Sequence, residues 1–236
     1  MSDDARPRIS VTIAAPVDVV WDALRSKDKI RNWMGWDYEG LHDEIDLIFF
    51  TDTVEYASAR TLRLHGGDEF RLEPYGAGTR VTLTRGPCGD NPDLDAYYDD
   101  VTEGWVTFLQ QLKFAVERHP GAVRRTLSFV SGNDNAVHLI DALHLADITA
   151  GSAFQRNLLG EDVAGDMWFS SGPQLGITVD AWGDGLLIVS SADPSPSKPN
   201  GAAMAVLSTY GLDDAQLAEL DSRWRPWWTE RFPGGE

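Results

Sequence analysis

Cysteine is almost absent from this chain: Cys88 is the only one in 236 residues, so no intramolecular disulfide framework supports the fold. Long apolar runs are missing too, and none approaches the ~20 residues a membrane-spanning helix needs. Basic residues are scarce, 20 against 37 acidic, which leaves a formal net charge of −17. That sign repels phosphate backbones and anionic headgroups. The densest cationic stretch, Arg25, Lys27, Lys29 and Arg31, is broken by Asp28. Neither nucleic acid nor a membrane is therefore expected as a partner. The sequence has no HExxH or CxxC run, no Gly-Lys-Ser/Thr phosphate loop and no GxGxxG, so no metal, nucleotide or other cofactor is expected. Met1 to Arg8 is polar, with no apolar run, unlike a signal peptide, and the expected compartment is the cytoplasm.

Apolar residues make up 42% of the chain, enough for a packed core, and their spacing divides it into two halves. In the first, Ile9, Val11 and Ile13 alternate with Ser10 and Thr12, the mark of a half-buried strand. Ala15-Pro16 opens a helix whose Val17, Val20, Trp21 and Leu24 share one face. Four strand-like runs follow: Ile45 to Phe50, Thr61 to His65, Glu69 to Pro74 and Thr79 to Arg85. Gly66-Gly67 and Gly76-Ala77-Gly78 supply the turns of a meander. A long amphipathic helix then places Tyr97, Val101, Trp105, Leu109, Leu112 and Val116 on one stripe, and His119-Pro120-Gly121 ends it.

The second half repeats the plan. A strand around Leu127 and Phe129 precedes a helix pattern from Asn133 to Ala146. Phe70 to Gly78 then matches Ile177 to Gly185 position by position: apolar, polar, apolar, acidic, small, aromatic, Gly, small or polar, Gly. Leu217, Leu220, Trp224 and Trp227 or Trp228 form a closing helical stripe, kinked at Pro226. The expected organisation is a domain over residues 1–121 and a divergent second domain over 122–236. Acidity is shared, with 13 basic and 22 acidic residues in the first and 7 and 15 in the second.

The segments Ile9 to Pro16, Val19 to Leu24, Trp33, Gly78 to Leu83, Glu103 to Trp105 and Phe108 to Leu112, taken as an ordered set, carry a resemblance. The first half resembles the START-like (SRPBCC, helix-grip) superfamily, in particular the group similar to the activator of heat-shock-protein-90 ATPase homologue. The second half is a looser match, without counterparts of Val20-Trp21 or Trp33. The resemblance implies an α+β fold of two tandem helix-grip domains, each a curved antiparallel sheet wrapped around a long C-terminal helix. It also implies a cavity between sheet and helix that takes a small hydrophobic molecule such as a lipid or polyketide. The co-chaperone activity that names the group belongs to a few members and is not carried over.

On that plan Trp21, Trp33, Trp36, Phe70, Leu72, Val81, Tyr97, Val101, Trp105 and Leu109 are the candidate ligand-binding residues. Aromatic rings suit a mostly apolar pocket with few directed contacts, and they suit a filled core equally well. No catalytic residue is assigned. His138 with Asp141, Glu44 and Asp46, which would point the same way at the head of a strand, and Cys88 near Arg85 offer acid/base or nucleophile chemistry; surface roles fit all three better. A cyclase or hydrolase, and a co-chaperone-like module with a protein partner or a second copy of the chain, stand as alternatives.

Overall fold

The computed structural model describes residues 6–88, 98–132, 138–192, 194 and 201–232. The chain separates into two compact units, 1–122 and 123–236.

In the first unit, β1 (Arg8–Ile13) leads into α1 (Val17–Arg25), α2 (Lys27–Ile30) and α3 (Leu41–Phe49). Four strands follow, β2 (Val54–Tyr56), β3 (Thr61–Arg63), β4 (Glu69–Tyr75) and β5 (Gly78–Thr84), and then the long α4 (Tyr98–Arg118). The sheet order is β1-β5-β4-β3-β2, all antiparallel, so the first strand pairs the last of the meander. Alternation does what the sequence implied: on β5, Val81 and Leu83 turn inward while Arg80, Thr82 and Thr84 stay half-exposed. Leu109, Leu112 and Ala115 of α4 join β1, β4, β5 and the first three helices in a single apolar core.

The second unit follows the same topology with one more strand. β6 (Arg124–Gly132) precedes the short α5 (Leu139–Ala142). Then come β7 (Ala153–Leu158), β8 (Glu161–Ser171), β9 (Gln174–Val179), β10 (Gly185–Ala192), β11 (Ala202–Tyr210) and the closing α6 (Asp214–Arg231). The order β6-β11-β10-β9-β8-β7 again sets first beside last, and β8 carries a bulge between Met167 and Phe169. A capping box starts α6: the Asp213 side chain accepts from the Gln216 N–H, and the Gln216 side chain accepts from the Asp213 N–H, both at 2.9 Å. Leu220, Trp224 and Trp228 turn into a core shared with Phe129, Trp182 and Phe232.

The fold class is thus α+β, two tandem helix-grip units, each an antiparallel sheet packed on a long closing helix. The matched hairpins are both present. β4–β5 turns at Gly76, and β9–β10 turns through a 3-10 segment at Asp180–Trp182 that ends on Gly183 in the left-handed region. Their aromatic positions diverge, since Tyr75 is exposed whereas Trp182 is buried and donates to Glu161 at 3.1 Å.

Three sequence expectations need correction. The run expected as a strand from Ile45 to Phe50 is instead the end of a helix that closes at Phe49: Leu41, Ile45 and Phe49 recur every four residues and all three are buried. A short apolar run alone cannot separate the two periods. The helix expected from Asn133 to Ala146 is one turn, Leu139–Ala142, with residues 133–137 outside the described ones. Strands β2, β7 and β8 were not anticipated; β2 is exposed throughout, and β7 and β8 alternate only in part. Among the described residues, no helix is long and apolar enough to cross a membrane.

Candidate functional site

Of the ten candidate residues, seven come together. Trp21, Trp33, Phe70, Leu72, Val81, Trp105 and Leu109 are all buried in the first unit's core. The rings of Trp33, Phe70 and Trp105 pack around Phe49. Phe70 meets Trp105 edge-on at 5.4 Å, and Trp33 meets Phe49 edge-on at 5.6 Å. Phe49 reaches Phe70 and Trp105 at 6.3 Å each, within the range of favourable aromatic pairs. Trp36 is half-buried outside that core, and Tyr97 lies outside the described residues. Val101 does not belong on the inner stripe, because it is 46% exposed. The reason is the rotation of α4, whose first turns present Tyr98, Thr102 and Trp105 inward, and Val101 sits ~100° round from Thr102.

That rotation is fixed by a polar cluster at the start of α4. The Asp68 carboxylate pairs with the Arg85 guanidinium, accepts from the Trp105 indole N–H at 2.8 Å and from the Gly86 N–H at 2.6 Å. Arg85 donates to the Thr102 hydroxyl at 3.1 Å and lies over the Tyr98 ring at 4.8 Å. The Tyr98 hydroxyl donates to the Gly86 carbonyl at 2.8 Å. Burial raises the Tyr98 pKa against the opposing pull of Arg85. Arg85 itself is buried. An ion pair so enclosed persists only when its remaining donors and acceptors are met, as they are here.

At the other end of α4 is a cavity of about 90 Å³. Val19 and Ala23 of α1, Lys29 of α2, Asn32 and Trp33, Ala115 and Val116 of α4, and the His119–Ala122 turn line it. The space exists because two small side chains, Ala23 and Ala115, stand where helices α1 and α4 face it. Trp33 forms a fixed wall, its indole N–H donating to the Ala23 carbonyl at 2.9 Å, one of the four carbonyls that the end of α1 leaves unpaired. Lys29 is paired with Asp22, and the Asn32 amide donates to the Asp28 carbonyl at 3.1 Å. Lys29 and Asn32 at the rim therefore already have partners, and most of the lining is apolar.

The remaining chemical candidates are scattered. Glu44 and Asp46 lie on α3, about 200° apart round its axis. Glu44 takes the Tyr38 hydroxyl at 2.7 Å and Asp46 pairs with Lys27, which corrects the expectation that both point one way. His138 and Asp141 are both exposed on the short α5 turn. Cys88 is exposed, while Arg85 is turned to Asp68. Among the described residues, no three His, Cys, Asp or Glu side chains gather as a metal-binding group. Sequence reasoning missed Ala115, Val116, His119 and Pro120 as cavity residues, having read the last two only as a helix stop. It missed Asp68 too, whose role depends on partners 17 and 37 residues away.

No protein-family model matches the chain, and no curated protein matches it in sequence. Solved structures with partial likeness exist. DynU16, from the dynemicin biosynthetic locus, is 15% identical over 96% of both chains, with a TM-score of 0.31. The Aha1 dimer from Colwellia psychrerythraea is 21% identical over 50% of this chain and 99% of its own, with a TM-score of 0.37. The di-domain ARO/CYC protein BexL, of the BE-7585A biosynthetic pathway, is 13% identical over 96% of this chain and 95% of its own, with a TM-score of 0.36. Similarity at these levels assigns no activity to this chain.

Proposed function

We propose that the protein binds a small hydrophobic molecule through its first unit, with the aliphatic end of the ligand seated in the cavity beside Trp33. The observation that carries this reading is the cavity itself: about 90 Å³ of mostly apolar space, open at one side, between α1, α2 and the end of α4, with its rim amide and ammonium already engaged. Burying apolar ligand surface there is favourable at roughly 25 cal/mol per Å², and no polar group need be stripped of a partner. Size sets the ligand class. A dry cavity of about 150 Å³ holds benzene, so this one suits a short or branched alkyl end rather than a fused ring. Val19, half-exposed at the rim, leaves an opening through which the rest of the molecule extends.

The test is a titration of the full chain with a panel of lipids, sterols, flavonoids and polyketides, followed by tryptophan fluorescence and thermal shift. A ligand that binds the folded state raises the melting temperature by mass action, by an amount equal to ~2.7 kcal/mol at 100 Kd. The expected result is a saturable response to a ligand with an alkyl terminus, abolished in Ala115→Leu, which fills the cavity. A flat response across the panel, or one that survives in Ala115→Leu, overturns the proposal.

A further inference from the structure

The ionisable side chains that line the cavity beside Trp33 are Lys29 and His119, and both are bases; among the described residues lining it there is no carboxylate. That bias runs against the chain as a whole, in which acidic residues outnumber basic ones 37 to 20. Lys29 borders the cavity and pairs with Asp22, the two side chains being 48% and 55% exposed. An ion pair so open to solvent contributes little to stability, so the ammonium can change partner at small cost. His119 is half-buried at the end of α4, its ring 5.3 Å from that of Phe114. The carbonyls at the end of α4 act the other way, because a helix C-terminus favours cations. Those of Ala115 and His119, however, already accept from the His119 and Ala122 N–H groups, at 3.1 Å each. Partial charges engaged in this way weigh less than a whole ammonium.

We propose that the ligand of this cavity is a short branched carboxylate, its alkyl end inside and its carboxylate at the rim, where Lys29 leaves Asp22 to pair with it. The proposal rests on the alkyl-binding reading above and adds the charge of the headgroup. Size limits the chain. Six benzene carbons in a dry cavity of about 150 Å³ set about 25 Å³ per carbon, so a space of about 90 Å³ holds roughly three or four. An isobutyl group ending in a carboxylate meets that limit. At the mouth of an apolar cavity the carboxylate has low-dielectric material on one side, which strengthens its attraction to the ammonium relative to Asp22 in open water. The chain as a whole, at a net charge of −17, repels anions, so a carboxylate finds little to hold it where no base is at hand.

Titration of the isotope-labelled full chain, followed by NMR at the Trp33 indole N–H, tests it with isovalerate, isoamyl alcohol and isoamylamine, which share one branched alkyl end. The alcohol reads the alkyl cavity alone. Isovalerate is expected to bind about tenfold more tightly than the alcohol, the size of a hydrogen bond to a charged group, and the amine more weakly than either. Added salt is expected to weaken isovalerate and leave the alcohol unchanged. Lys29→Met keeps the apolar stem, removes the charge from an exposed position, and is expected to bring isovalerate down to the affinity of the alcohol. Equal affinity of isovalerate and alcohol, a preference for the amine, or isovalerate binding that persists undiminished in Lys29→Met overturns the carboxylate proposal and leaves the alkyl reading standing. Silence from all three probes fails the alkyl reading, and this proposal with it.

Discussion

Replacing Ala115 by Leu is the sharpest perturbation of the first unit, because two independent consequences follow from one added isopropyl group. Ala115 is buried on α4 and lines the cavity of about 90 Å³. A fully enclosed void costs roughly 24 cal/mol per Å³; this one opens at its rim, so filling it recovers at most about 2 kcal/mol. Ordering the new side chain costs roughly 0.5–1 kcal/mol, and the lower helix propensity of Leu relative to Ala a few tenths more. The net expectation is a stabilisation of up to about 1 kcal/mol, read as a higher urea midpoint with unchanged slope. The second consequence is loss of ligand binding, since the space is taken. Lower stability than wild type would mean that the site cannot accept three carbons without overpacking. Unchanged ligand affinity would mean that the ligand sits elsewhere. Either result refutes the assignment of this space.

Further expectations concern the second unit. Gly183→Ala is expected to destabilise by on the order of 3 kcal/mol or more in denaturant titration: Gly183 has φ of 73°, and an added Cβ would lie 1.8 Å from the Tyr210 carbonyl oxygen. Asp213→Ala removes the capping box of α6 and is expected to cost about 1 kcal/mol by the same assay. Tyr210 is buried, and burial pushes its hydroxyl up to about 12, with Arg124 opposing and Asp184 reinforcing. Its contribution to stability is therefore complete below pH 10 and is lost as pH rises towards 12, because the unfolded phenol ionises first. Alkaline unfolding curves are expected to fall more steeply in that window for wild type than for Tyr210→Phe.

Much of the architecture was legible because it rests on period. Alternation on β1, β4 and β5 and the stripes of α4 and α6 are local patterns, and the strand–helix–meander–helix order repeated in both halves. Where period is ambiguous, reading failed. Ile45 to Phe50 is a short apolar run that suits strand or helix, and only burial of Leu41, Ile45 and Phe49 on one face decides it. Strand β8 broke its alternation at a bulge, which local spacing does not announce.

The site was legible in composition more than in geometry. Most of the residues named for a pocket do gather, Trp36 and Val101 excepted, but Trp33, Phe70 and Trp105 meet as rings packed with Phe49. The open space lies where two alanines meet, and a void left by small residues has no sequence signature. The polar cluster was hidden for another reason: Asp68, Arg85 and Trp105 are brought together by the meander and the helix, and nothing in their spacing marks them as partners.

The most direct measurement is a crystal structure of the full chain with the tightest ligand from the panel. The account predicts an alkyl end against Trp33, Ala115, Val116 and Pro120, with the Trp33 indole still donating to the Ala23 carbonyl. Ligand density elsewhere, with the space beside Trp33 closed by side chains, would contradict it.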